Sequence, residues 1–117
     1  MTARRLLERG PFAAVVLLSV IVLFAPGSAT PTLYPGLDKL VHLSLFAALA
    51  LTGRWAGLPT TRLAAGLVVY AGMSEVLQGV LPIGRDAEVL DALTDAVGVA
   101  LGVLAARVVD LRRVGRA

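Results

Sequence analysis

Four apolar segments of roughly membrane-spanning length make up most of this chain of 117 residues. They cover about residues 7–25, 39–56, 63–81 and 89–109, and a helix needs about 20 residues to cross a bilayer. Apolar residues form 57% of the chain and charged residues only 16%, a composition outside the range usual for soluble domains. The pattern predicts a single all-α domain over residues 1–117, an integral membrane four-helix bundle that crosses the cell membrane several times.

The first apolar segment allows two interpretations. Its uninterrupted core, residues 12–25, is short for a crossing and has the length of a signal-peptide core, and residues 27–29 read Gly-Ser-Ala, a passable cleavage site. Alternatively, Leu6 and Leu7 extend the segment, while neighbouring arginines reach back to the headgroups. We expect the segment to be retained as the first crossing.

Basic residues predict the orientation of the bundle. Three arginines lie in the first ten residues, two flank the turn at residues 57–61, and four lie at the C-terminal end. The two other connections hold one basic residue each, Lys39 and Arg85, both beside acidic residues. Because cytoplasmic loops are enriched in lysine and arginine, both termini and the middle turn are expected in the cytoplasm.

Polar pairs interrupt three of the four segments, at the ends that this topology places outside the cell. A charged group at the bilayer centre costs roughly 2.5–3.5 kcal/mol on insertion scales, so such residues usually have a function or a partner. Each pair is spaced three or four residues apart, so its members share a helix face. The pairs are Asp38 with His42, Glu75 with Gln78, and Asp91 with Asp95.

The first candidate role for these residues is proton exchange. Asp38 and His42 are one helical turn apart, and a neighbouring carboxylate is a usual means of orienting a histidine base. Glu75 supplies a second carboxylate at the same depth of the membrane. We therefore assign His42, Asp38 and Glu75 as candidate catalytic residues.

The remaining polar residues are candidates for holding a ligand. The guanidinium of Arg85 suits phosphate or carboxylate, and the acidic groups suit a divalent cation. No compact metal motif such as H-E-x-x-H occurs, so no metal ligand or cofactor is assigned. The candidate ligand-binding residues are Lys39, Gln78, Arg85, Asp91 and Asp95.

A structural interpretation stays open beside the functional ones. Membrane helices use polar side chains to join one helix to the next, and Gly98 and Gly102 are spaced for close helix packing. Asp86 and Glu88 are expected to be solvated loop charges. The net charge of +3 follows from the arginines at the segment ends, so nucleic acid is not expected as a partner.

The order of these residues resembles the VanZ-like membrane protein family. The run from Asp38 to His42, followed by Phe46, resembles the family's D-K-x-x-H-x-x-x-F opening. A second block resembles the later part of the family pattern, so the resemblance covers about residues 36–104. It consists of Glu75, Gln78, Arg85, Asp91, Asp95, Gly98 and Gly102. The resemblance implies a small multi-helix membrane fold, and the family's named member is associated with resistance to the glycopeptide antibiotic teicoplanin.

Two functions follow as expectations. The first is an outward-facing site, in the membrane, that acts on or binds a lipid-linked or anionic molecule of the cell envelope. The alternative is a non-catalytic accessory module, or a small-ion binding protein, whose polar residues form a structural network. The inner halves of the segments are nearly free of ionisable groups, which argues against a complete ion path across the membrane.

The charge balance gives one more expectation. Asp38, Glu75, Asp91 and Asp95 bring four carboxylates together, against the two cations Lys39 and Arg85 and one histidine. Carboxylates without partners in a low dielectric take up a proton or recruit a cation. We expect at least one such group at neutral pH, with Asp91 as the ionised member of its pair and the deeper Asp95 as the protonated one.

Overall fold

The computed structural model describes residues 2–26, 36–84 and 86–114, with side chains as far as Asp110. This part of the chain forms four α-helices and no strand, which confirms the all-α prediction. The predicted cleavage site at residues 27–29 and the predicted ligand residue Arg85 lie outside the described residues. The helices are α1 (Ala3–Phe24), α2 (Leu37–Trp55), α3 (Thr60–Val80) and α4 (Val89–Val114).

The helices exceed the apolar segments at their charged ends. α1 starts at Ala3 rather than near residue 7, because Thr2 caps it: its Oγ1 accepts the N–H of Arg5 at 3.3 Å. α4 continues to Val114, beyond the predicted end near residue 109. Backbone hydrogen bonding continues as long as helical geometry holds, whereas hydropathy falls at the first charged side chain.

Three of the four helices are long and apolar enough to cross a membrane: α1, α3, and α4 over Val89–Asp110. α2 is not among them, since Asp38, Lys39 and Arg54 lie within its 19 residues. Length and composition therefore support three of the four predicted crossings.

α2 occupies the centre of the bundle. It packs against each of the other three helices, most extensively against α4, whereas α1 and α4 do not touch within the described ranges. Its buried residues include Phe46 and Leu49, both fully enclosed. The helix that does not qualify as a membrane span by itself is thus the one that packs against all three others.

Glycines let α4 approach the backbone of α2. A Cβ atom on Gly98 would lie 2.5 Å from the carbonyl oxygen of Leu43, and one on Gly102 would overlap the carbonyl oxygen of Ala47. No larger side chain fits at either position without displacing backbone. The predicted close packing at Gly98 and Gly102 is confirmed.

The two faces of α4 differ in the sense expected of a membrane helix. Asp91, Asp95, Gly98 and Gly102 form its inner stripe, and all four are buried. The opposite face is a row of exposed large apolar side chains: Leu93, Val97, Leu101 and Leu104. Polar groups inside and apolar groups outside reverse the pattern of a soluble helix.

Candidate functional site

Polar residues from three helices meet at one end of the bundle, where α2 and α4 begin and α3 ends. We call this group the polar cluster. Five of its members expose no more than 5% of their surface, namely His42, Glu75, Gln78, Asp91 and Asp95. Asp38 and Lys39 form the exposed side. The described part of the chain therefore brings together seven of the eight predicted site residues, and the eighth is Arg85.

His42 stands at the middle of the polar cluster, with a pair of carboxylates near each ring nitrogen. Its Nδ1 atom lies 2.7 Å from Oδ1 of Asp95, a buried hydrogen bond, and 4.0 Å from Oε1 of Glu75. Its Nε2 atom lies 3.8 Å from Oδ1 of Asp38 and 3.9 Å from Oδ2 of Asp91. The imidazole is therefore surrounded by negative charge contributed by all three helices.

Asp95 is the hydrogen-bonding partner of His42, although the spacing along α2 pointed to Asp38. Asp38 does lie one turn before His42, as expected, but the separation of 3.8 Å exceeds a hydrogen bond and its side chain is 59% exposed. Helical spacing identifies neighbours on one helix, whereas Asp95 reaches His42 from another helix, 53 residues further along the chain.

Lys39 neutralises two carboxylates at the edge of the polar cluster. Its Nζ atom lies 2.9 Å from Oδ1 of Asp91 and 3.0 Å from Oε2 of Glu88. Lys39 thus joins α2 to α4 and to the loop that precedes α4. With both carboxylates at bonding distance, this ammonium group is largely occupied by the protein itself.

Glu88 belongs to the polar cluster, although its side chain is 52% exposed, as expected of a solvated loop charge. Besides its bond to Lys39, its backbone N–H donates to Oε2 of Glu75 at 3.0 Å. Its carbonyl oxygen accepts the N–H of Asp91 at 3.1 Å, at the start of α4. The sequence did contain an indication that Glu88 joins the polar cluster. Glu88 lies three residues before Asp91, so both residues lie on one side of the helix start.

Gln78 ties α3 to α1 rather than pointing at His42. Its Nε2 atom donates to the carbonyl oxygen of Leu23, 2.7 Å away, near the end of α1. Gly79 lets the same end of α3 lie against the following loop, because an added Cβ would meet the Cβ of Ala87 at 2.9 Å. The hydrogen bond of Gln78 is a structural link of the kind that polar residues make between membrane helices.

Two buried carboxylate oxygens have no hydrogen-bond partner among the described residues. They are Oε1 of Glu75 and Oδ2 of Asp95, on side chains that are 7% and 0% exposed. A buried acceptor without a donor costs free energy, and such groups in folded proteins usually have a proton, a water or an ion nearby. We therefore expect a proton, a water or an ion beside these two oxygens, on the Nδ1 side of His42.

Two sets of three side chains could hold a cation. One is His42, Glu75 and Asp95, all buried; the other is Asp38, His42 and Asp91, of which Asp38 is exposed. In each set, one ligand atom from every residue lies within 4.8 Å of the others. His42 is common to both sets, through Nδ1 in the first and Nε2 in the second.

No family model matches this chain, and no curated protein or solved structure matches it either. The similarity to VanZ-like proteins accordingly consists of the residues quoted from the sequence.

Proposed function

We propose that this chain is a multi-pass, VanZ-like protein of the cell membrane whose polar cluster exchanges protons with a lipid-linked, anionic molecule of the cell envelope. The observation that carries the proposal is the buried hydrogen bond between His42 Nδ1 and Asp95 Oδ1, at 2.7 Å. A carboxylate at Nδ1 fixes the ring and its tautomer, so that Nε2 is the nitrogen free to take or give a proton. Nε2 faces Asp38, the exposed carboxylate of the polar cluster.

His42 acts through Asp38 in this proposal. The imidazole is only 2% exposed, so a ligand in the membrane cannot touch it directly. Asp38 lies 3.8 Å from Nε2, a gap that one side-chain rotation or one bridging water closes. Asp38 would contact the ligand, and His42 would exchange a proton with Asp38. Asp95 and Glu75 would stabilise the charged imidazole. This assignment keeps His42, Asp38 and Glu75 as the reactive group.

A groove beside the polar cluster supports a lipid-linked ligand. It lies between α1 and α2, has a volume of about 420 Å³, and is lined by apolar side chains that include Val22, Leu40 and Val41. Leu40 and Val41 are the residues between Lys39 and His42 in the sequence. A hydrocarbon chain in this groove would bring its headgroup to Asp38 and Lys39.

The anionic part of the ligand is assigned to Arg85. Lys39 already binds Glu88 and Asp91, which leaves it little capacity for a phosphate. The sequence has Arg85 between the residues of α3 and those of α4, and its guanidinium suits a phosphate or carboxylate. The topology inferred from the basic residues would place this end of the bundle outside the cell, where envelope precursors are exposed.

Single substitutions test the proposal in cells. His42→Gln, Asp38→Asn and Arg85→Ala, compared at equal protein level in the membrane, should each abolish any change in glycopeptide susceptibility that the wild-type chain confers. Asp110→Asn, at the opposite end of the bundle, is the matched control and should behave as wild type. Wild-type behaviour of all three folded site variants would refute the proposal.

The hydrogen bonds between elements favour a second function, that of a non-catalytic membrane module with a structural polar network. Gln78 bonds to α1, Glu75 to the backbone of Glu88, and Lys39 to both Glu88 and α4. On this alternative, Gln78→Leu and His42→Gln would lower thermal stability together, and any phenotype would follow the amount of folded protein. If His42→Gln is stable and fully folded but alters glycopeptide susceptibility, the result supports the first function over the second.

A further inference from the structure

We propose that His42, Glu75 and Asp95 form a buried site for one divalent transition-metal cation, of the type represented by Mn²⁺ and Zn²⁺. The ligand atoms are Nδ1 of His42, Oε1 of Glu75, and a carboxylate oxygen of Asp95. The inference concerns a metal-bound form of the protein, in which Nδ1 carries the cation instead of a proton, and it does not depend on the proposed exchange of protons with an envelope molecule.

The distances suit one small cation. Such ions bind nitrogen and oxygen at about 2.0–2.2 Å, so two ligands of one tetrahedral ion lie about 3.4 Å apart. Nδ1 is 2.7 Å from Oδ1 of Asp95 and 4.0 Å from Oε1 of Glu75, one value below and one above that separation. Moving Asp95 by about 0.7 Å and Glu75 by about 0.6 Å would bring both ligand oxygens to that separation from Nδ1. The cation would take the place of the proton that Nδ1 and Asp95 now share.

Two carboxylate oxygens without a hydrogen-bond donor also support the metal site, independently of the distances. Oε1 of Glu75 and Oδ2 of Asp95 are buried and have no hydrogen-bond donor among the described residues. The other oxygen of Glu75, Oε2, already accepts the N–H of Glu88 at 3.0 Å. That bond holds the carboxylate with Oε1 turned towards His42. Metal-binding carboxylates are commonly held by such a second hydrogen bond.

The charges also match a dication. A neutral imidazole with two carboxylates carries two negative charges, which one divalent ion cancels. When a metal replaces the proton on Nδ1, the neutral imidazole carries its proton on Nε2, which faces Asp38 and Asp91 at 3.8 and 3.9 Å. One nitrogen and two oxygens suit Mn²⁺ or Zn²⁺ better than Cu⁺, which selects sulfur ligands.

The inner set of ligands is favoured over the outer set of Asp38, His42 and Asp91. In the outer set, Oδ1 of Asp91 is bound by the ammonium of Lys39 at 2.9 Å, and that positive charge repels a cation. Asp38 is 59% exposed, so it would have to give up hydration to bind. The inner set has neither disadvantage.

The decisive experiment uses the fact that the chain contains a single histidine. The full chain, purified without a histidine tag and reconstituted in nanodiscs after chelator treatment, is titrated with Mn²⁺ and followed by electron paramagnetic resonance. We expect one bound Mn²⁺ per chain, displaced by Zn²⁺, with a pulsed-resonance coupling to one imidazole nitrogen. Growth on ¹⁵N-histidine should change that coupling, which would identify His42 as the ligand.

Variants separate the inner set from the outer one. Glu75→Gln and Asp95→Asn, which retain side-chain size, should each weaken Mn²⁺ binding at least about tenfold, because each removes a ligand charge and loss of a ligand's hydrogen-bond partner alone costs about 10–100-fold. Asp38→Asn and the distant Asp110→Asn should leave the affinity within about twofold. Loss of binding in Asp38→Asn, with Glu75→Gln and Asp95→Asn unaffected, would overturn the assignment.

Two further outcomes would also overturn it. One is the absence of bound Mn²⁺ and Zn²⁺ in folded wild-type protein at millimolar metal; the other is bound Mn²⁺ without an imidazole nitrogen coupling. If Glu75→Gln or Asp95→Asn does not fold, Asp38→Asn still decides, because loss of Mn²⁺ binding in that variant would assign the ion to the outer set. A negative metal result leaves the proton-exchange proposal intact, because that proposal is tested by susceptibility in cells and needs no cation.

Discussion

The Nδ1 atom of His42 and the Oδ1 atom of Asp95 lie 2.7 Å apart, and both side chains are buried where α2 meets α4. This bond connects the centre of the bundle to the helix that packs most closely against it. A buried hydrogen bond in a low dielectric is strong when made and costly when one partner is missing. The stability of the bundle and the chemistry of the polar cluster therefore depend on the same pair.

Substitutions of Asp95 should separate hydrogen bonding from charge. Asp95→Asn retains an acceptor for the His42 N–H, so we expect its free energy of unfolding to stay within about 1 kcal/mol of wild type. Asp95→Leu leaves Nδ1 without an acceptor and should lower that free energy by about 1–3 kcal/mol. Thermal unfolding of metal-free protein in detergent, followed by circular dichroism, measures both. Equal losses for the two variants would contradict this reading.

Asp91→Asn should impair function while the fold persists. Asp91 holds Lys39 at 2.9 Å and lies near Nε2 of His42, so its charge orders the exposed side of the polar cluster. Asparagine has nearly the same shape as aspartate, but without the negative charge it binds Lys39 more weakly. Glycopeptide susceptibility at matched protein level should shift towards that of cells without the protein, whereas Asp110→Asn leaves it unchanged. An active Asp91→Asn would show that this charge is dispensable.

Alanine at Gly98 or Gly102 should destabilise the bundle. An added Cβ meets the α2 backbone at both positions, and overpacking of this kind typically costs about 1–3 kcal/mol. Gly66→Ala and Gly72→Ala on α3 are matched controls, because no atom lies within 4 Å of a Cβ there. Those controls should be neutral or stabilise by up to about 1 kcal/mol, since alanine favours helix. Similar melting temperatures for all four variants would argue against close α2–α4 contact.

Reporter fusions check the orientation inferred from the basic residues. A fusion after Ala117 and one in the turn at Gly57 should report the cytoplasm, and an insertion at Gly84 should report the outside. Gly57 and Gly84 both lie in connections between helices, so insertions there should preserve packing. A cytoplasmic signal from Gly84 would move the polar cluster to the inner surface and remove the envelope molecule as its ligand.

Infrared spectra should detect the protonation state of the polar cluster. Its described part holds five carboxylates against Lys39 and His42. We expect a protonated carboxyl band in metal-free protein at neutral pH, and loss or shift of that band on addition of Mn²⁺. Spectra of Glu75→Gln and Asp95→Asn assign the band. A folded, metal-free sample in which every carboxylate is ionised would contradict the expectation.

The sequence predicted the helices and most members of the polar cluster, because both depend on patterns along one helix. The stripe of Asp91, Asp95, Gly98 and Gly102 follows from a spacing of three or four residues, and the structure shows it facing α2. The partner of His42 could not be predicted in this way. Which residue of α4 meets which residue of α2 depends on how the helices rotate and slide against each other, and single-helix periodicity does not contain that information.

The loop before α4 was predicted least well, for a related reason. Glu88 was expected to be a solvated loop charge, and its half-exposed side chain agrees, yet its N–H and carboxylate also bond to Glu75 and Lys39. Loop conformation depends on contacts with distant elements, which local composition does not report. The central position of α2 was also unforeseen, because which helices pack against each other depends on tertiary contacts.

The glycine-lined contact between α2 and α4 has a consequence for how the protein is made. During synthesis α2 leaves the ribosome before α4, so His42 emerges without Asp95 and without the surface that later covers it. A helix with Asp38, Lys39 and Arg54 gains little from lipid alone. We therefore expect stable placement of α2 in a membrane to depend on α4, which follows it in the chain and packs against it at Gly98 and Gly102.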